Sequence, residues 1–136
     1  MTTDTDYAKK ELLQGKAFVV VNCGKIIAES DEKGVFPLFS AVTELDLENA
    51  SLADKVVGKA VAFLCVYSGI AAVYAVVASE PAVGVLTRYS IGIEAETVVP
   101  MIMNRTGDDQ CPIEKLVNTC RTPEKAYTVL KKKFGG

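Results

Sequence analysis

Three short stretches of the chain carry side chains able to do chemistry. In the first, Asp54, Lys55 and Lys59 surround Gly58. Read as part of a helix, the segment puts Lys55 and Lys59 four residues apart on one face, with Asp54 at the third helical position. Paired lysines suit an anion or a carbonyl, because a crowded or desolvated ammonium gives up its proton more readily. A mid-helix Gly58 supports that reading: it costs about 1 kcal/mol against alanine and makes sense where a ligand or another backbone comes close. The plainer reading is a capping box completed by Asp54, followed by a solvated lysine stripe. Gly58-Lys59 is no phosphate-binding P-loop, since residues 53 and 60 are both alanine where that motif needs glycine and Ser/Thr.

The second stretch is Cys111-Pro112-Ile113-Glu114. Pro112 fits a first helical position and makes Cys111 the N-cap. A thiol there feels the helix dipole, which favours the thiolate and hence a nucleophilic or redox-sensitive role. Glu114 can reach back to the Cys111 N–H as in a capping box. A small residue at an N-cap is the alternative.

The third is Asn104-Arg105-Thr106-Gly107-Asp108-Asp109. A polar, glycine-containing loop before a helix can cradle an anion, with the Arg105 fork holding phosphate or carboxylate. An ordinary turn explains the same residues equally well. Glu80 stands at a further helix start and joins this set as a candidate ligand contact.

What is missing narrows the chemistry as much as what is present. The chain has 136 residues and no histidine. That excludes Ser-His-Asp and Cys-His nucleophiles, H-E-x-x-H zinc sites and an imidazole base. Cys23, Cys65, Cys111 and Cys120 form no C-x-x-C pair, so reduced thiols, a cytoplasmic location and no metal or other cofactor are expected. Fifteen basic against 17 acidic residues give a net charge of -2, without the basic excess of a nucleic-acid binder. The run Lys131-Lys132-Lys133 reads as a solvated helix end. Residues 1–6 show no secretory signal. Ala60–Ser79 holds no charge over 20 residues, long enough to span a bilayer. Ser68-Gly69 breaks it, however, and helix, turn and buried strand explain both halves without a membrane.

The elements that must position these residues follow from pattern and punctuation. Thr3 and Asp6 form a capping box for a helix over about Asp6–Gln14. Lys16–Val21 and Lys25–Glu29 read as strands closed by Asn22-Cys23-Gly24 as a tight hairpin. A helix is expected over Pro37–Leu45, and a long central helix over Leu52–Tyr67 that carries Cys65 into the core. Strand Val73–Ala78, helix Pro81–Tyr89 and strand Gly92–Val99 follow, then an extended loop and helices near Pro112–Thr119 and Pro123–Lys132. An antiparallel pair followed by a β-α-β crossover implies one α/β domain over residues 1–136, a three-layer α/β/α arrangement with a mixed sheet.

Hairpin, long helix, strand, and a helix opening at Ser79-Glu80-Pro81 together resemble the cytidine-deaminase-like fold. Active members carry H-x-E or C-x-E on the first helix and P-C-x-x-C at the start of the second. Ser79-Glu80-Pro81-Ala82-Val83-Gly84-Val85 looks like that second motif with Ala82 and Val85 in place of the cysteines. Gly58-Lys59-Ala60 stands where the first is expected, without ligand or glutamate. Asp54–Ala60, Ser79–Pro81, Asn104–Gly107 and Cys111–Glu114 further resemble the prokaryotic family called domain of unknown function 1893, from Phe18 to the last helix. The resemblance implies the deaminase-like fold without its zinc, and packing into dimers or larger rings.

Two functions stay open. One is an enzyme using Asp54, Lys59 and Cys111 around the old pocket, with Lys55, Gly58, Glu80, Asn104, Arg105 and Glu114 holding an anionic or nucleotide-like small molecule. The other is a non-catalytic sensor or scaffold that self-associates.

Overall fold

Cys23 (φ 51°) and Gly24 (φ 77°) both take positive φ, the pairing a two-residue hairpin turn demands. They join strand β1 (Phe18–Asn22) to strand β2 (Lys25–Ser30), paired antiparallel. The computed structural model describes residues 3–135. Helix α1 (Asp4–Leu12) precedes the hairpin, and its N-terminus carries the expected capping box between Thr3 and Asp6. After β2 come helix α2 (Phe36–Glu44), strand β3 (Ser51–Val57), helix α3 (Lys59–Ser68), strand β4 (Ala72–Ser79), helix α4 (Glu80–Arg88) and strand β5 (Gly92–Val99). Helices α5 (Pro112–Val117) and α6 (Pro123–Phe134) close the described chain.

The five strands form one sheet in the order β2-β1-β3-β4-β5. β1 runs antiparallel to both β2 and β3, whereas β3, β4 and β5 are mutually parallel. Strand alternation sorts the core into two layers. Val19, Val21, Ala53 and Tyr74 face α1 and pack with its Ala8 and Leu12. Val20, Leu52, Val73 and Ala75 face the opposite side, where α2 to α6 bury Leu38, Phe63, Leu64, Leu86, Val117 and Leu130. The result is the mixed, three-layer α/β architecture expected.

One expectation fails. Residues 51–57 are not the first half of a long helix but the central strand β3, paired with β1 on one side and β4 on the other. A strand covered on both faces is apolar on both, and its run of Leu, Ala and Val mimics a buried helix. Gly58, extended at φ -95° and ψ -175°, is the N-cap of α3 rather than a residue in its middle. Lys55 and Lys59 therefore share no helix face, and Asp54 completes no capping box. The uncharged stretch resolves as α3, a turn with Gly69 in the left-handed region (φ 79°), and β4. Among the described residues no helix is long and apolar enough to cross a membrane.

Candidate functional site

Parallel strands β3 and β4 both deliver their chain to the same edge of the sheet, so α3 and α4 start side by side. Ser79 caps α4, its Oγ accepting from Ala82 N–H at 3.1 Å. Nothing in Gly58 can do the same for α3, and the acceptor comes from 56 residues downstream. Lys59 N–H donates to Glu114 Oε1 at 2.6 Å, and Ala60 N–H to Oε2 at 2.9 Å. Two charge-assisted bonds into a helix N-terminus explain how a carboxylate residue only 5% exposed is tolerated. Burial still pushes its pKa above the ordinary glutamate value, against the pull of the two N–H groups and the Lys59 charge.

This contact corrects two expectations. Glu114 does not reach back to Cys111, whose N–H goes to the Ile102 carbonyl at 2.9 Å. Cys111 is the N-cap residue of α5, as expected, but its side chain makes no capping bond. The close approach that Gly58 permits is made by the protein's own carboxylate: a β-carbon there would stand 2.5 Å from Glu114 Cδ and 2.8 Å from Oε2.

Beside this junction lies a cleft of about 360 Å³ between α3, α4 and the α5–α6 connection. Buried Phe63, Val85 and Cys120 contribute apolar lining, along with exposed Pro81 and Gly84. Lys59, Arg88 and Arg121 supply three positive charges, and the lining contains no carboxylate. Among the described residues none of the three cations forms an ion pair within 4.0 Å. Two of them are steered by backbone oxygens instead. Lys59 Nζ donates to the Asn118 carbonyl at 3.0 Å, and Arg88 donates to the Arg121 carbonyl at 2.8 Å. Neutral carbonyls orient these two groups without forming an ion pair, which leaves the wall of the cleft rich in positive charge and free of carboxylates.

Of the candidate catalytic and ligand-binding residues read from sequence, only Lys59 lines this cleft, while Gly58 and Glu114 build its neighbouring helix start. Asp54 lies on β3, facing α3, since Leu52 two residues earlier packs on that side. The residue is only partly buried, yet its carboxyl is densely surrounded. Burial pushes its pKa up to about 8 despite a bond from Val56 N–H at 3.2 Å. Lys55, next along the strand, is exposed, as is Glu80 in the first turn of α4. The Asn104 loop spends its donors on itself. Asn104 Oδ1 accepts from Gly107 N–H at 2.8 Å and Asp108 N–H at 3.2 Å, occupying the groups an anion cradle would offer. Arg105 is exposed beside it.

Arg88, Arg121 and Gly84 were not anticipated. The two arginines lie 33 residues apart and meet only through the packing of α4 against the turn before α6. Gly84 left a visible signal, a glycine inside an expected helix. Among the described residues no group of three or more Cys, Asp or Glu side chains is arranged to hold a metal ion.

The family model described as "Domain of unknown function (DUF1893)" matches residues 7–134. Among solved structures, a DUF1893 family protein from Thermotoga maritima superimposes with a TM-score of 0.85 at 28% identity, covering 93% of this chain and 86% of that one. A Thermotoga maritima diaminohydroxyphosphoribosylaminopyrimidine deaminase/5-amino-6-(5-phosphoribosylamino)uracil reductase gives a TM-score of 0.45 at 21% identity, over 65% of this chain and 34% of that protein. Similarity at that level brings no activity to this chain. No curated protein matches it.

Proposed function

The chain belongs to the DUF1893 family, whose description assigns no activity, and from that premise we propose that it binds a small anion in the cleft between α3 and α4. The observation that carries this reading is the meeting of Lys59, Arg88 and Arg121 around one recess without an acidic residue in its lining. Three like charges facing one recess repel each other, and an anion seated among them turns repulsion into attraction. The volume of about 360 Å³ sits at the small end of ligand pockets. Under this reading the protein is a zinc-free relative of the cytidine-deaminase-like superfamily that has kept a pocket beside its two helix starts.

Calorimetric titration of the purified chain with inorganic phosphate at low ionic strength tests it. Saturable binding, weakened at least about tenfold by Arg88→Glu or Arg121→Glu, is expected, each change removing an attraction and adding a repulsion. Binding that both variants retain at full strength sinks the proposal. Self-association remains a second reading, favoured by Val98, Met101 and Met103, which stand 51%, 45% and 43% exposed at the end of β5 and just beyond it. A light-scattering mass near 14.6 kDa at micromolar concentration would count against it.

A further inference from the structure

Gly84 is the fifth of nine residues in α4, a position where glycine costs about 1 kcal/mol against alanine. Glycines usually repay that cost through a left-handed backbone or a tight internal contact. Gly84 does neither. It lies in a regular helix and is not among the positive-φ glycines, and a β-carbon built on it meets no atom within 4 Å. The contrast with Gly58 is direct, because there the missing side chain is replaced by the Glu114 carboxylate. The space over Gly84 belongs to the cleft.

We infer that the anion held in this cleft is one end of a phosphate monoester whose flat, largely apolar body lies against the bare α4 backbone at Gly84. The inference rests on the anion-binding reading and extends it to the rest of the ligand. Pro81, Gly84 and Arg88 are spaced three and four residues apart, so they follow one another along a single face of α4. The backbone at Arg88 is thus about one helical turn, roughly 6 Å, beyond the glycine, and its guanidinium is held by the Arg121 carbonyl. A monoester lying along this face would set its phosphate toward Arg88 and its ring toward Gly84. Pro81 supplies exposed apolar surface, with only small edges of Phe63 and Val85 beside it, and Pro81, Gly84, Val85 and Phe63 bring no polar side-chain group to this part of the lining. Recognition there works by shape and contact, and a side chain at residue 84 would stand in the place of the ring. Charge recognition stays with Lys59, Arg88 and Arg121.

Titration of the full chain with phenyl phosphate, glycerol 3-phosphate and inorganic phosphate separates these contributions. Phenyl phosphate is expected to bind about tenfold more tightly than glycerol 3-phosphate. Gly84→Leu places a good helix former on an exposed position and should raise the Tm. It should also abolish the advantage of phenyl phosphate over glycerol 3-phosphate, read as the ratio of the two affinities in the variant. Equal affinities for the two esters in the unaltered chain overturn the inference, as does a Gly84→Leu variant that keeps the preference. Absence of binding by all three probes overturns the anion-binding reading itself, a result distinct from either of those.

Discussion

The Glu114 carboxylate fills the space that a β-carbon on residue 58 would need, with Cδ and Oε2 standing 2.5 and 2.8 Å from where that atom would lie. A helix start without a side-chain cap is thereby closed by an acid on another helix, which fastens α5 to α3 beside the cationic cleft. Gly58→Ala is expected to destabilise the fold by about 2 kcal/mol or more, since the carboxylate must retreat and give up bonds to two N–H groups. Urea titration at pH 7 measures this as a lowered midpoint. In a Glu114→Ala background the same glycine change should cost far less. Equal costs in the two backgrounds would separate the glycine from the carboxylate.

How far the sequence exposes this arrangement depends on the range of each interaction. The Thr3/Asp6 box, the Asn22-Cys23-Gly24 hairpin and the Pro112 helix start are local. They rest on residues within a few positions of each other, and each forms where it was read. Strand β3 is different. Its apolar residues serve α1 on one face and α3 on the other, so neither a period of two nor one of 3.6 stands out. The fate of Glu114 was equally hidden. A capping box with Cys111 and a cap on α3 both satisfy an acid at the third helical position, and only tertiary packing decides between them. Gly58 suggests a close approach by a ligand or another backbone at mid-helix, whereas it is an extended N-cap and the group that approaches it is a side-chain carboxylate 56 residues away.

Asp54 makes stability depend on pH. Its carboxyl titrates near 8 in the fold against about 3.9 in an unfolded chain, so between those values the native state holds the extra proton. Its contribution is fully present below about pH 4 and is lost as pH rises through about 8, with a slope of up to about 1.4 kcal/mol per pH unit. Asp54→Asn keeps the shape without the charge. Urea unfolding between pH 5 and pH 8.5 should show a flatter profile for the variant and greater stability at the alkaline end. Parallel profiles for both proteins would mean that the Asp54 carboxyl is hydrated. Glu114, also raised by burial, leaves a smaller slope of the same sign in the variant.

Asn104 and Arg105 are neighbours with opposite expected sensitivities. Asn104 Oδ1 accepts from two backbone N–H groups, and its Nδ2 donates to Asp108 Oδ1 at 2.9 Å. Thr106 Oγ1 reaches the same Asp108 oxygen at 2.6 Å, and these bonds hold the Asp108 carboxyl below its ordinary pKa. The turn is therefore closed by its own side chains and has few donors left for a ligand. Its role lies downstream, where it sets the start of α5 through the Cys111 N–H bond to Ile102 and the ion pair of Asp109 with Lys115. Asn104→Ala should cost about 1–2 kcal/mol, two backbone donors having lost their acceptor on a solvated loop. By loosening the start of α5 it should also weaken phosphate binding at Lys59 and Arg121. Arg105→Ala removes an exposed side chain and should leave stability within about 0.5 kcal/mol. Urea midpoints and phosphate titrations of both variants check this pair. A loss of phosphate affinity in Arg105→Ala, with stability unchanged, would instead place that guanidinium among the ligand's contacts and shift the binding site from the cleft toward this loop.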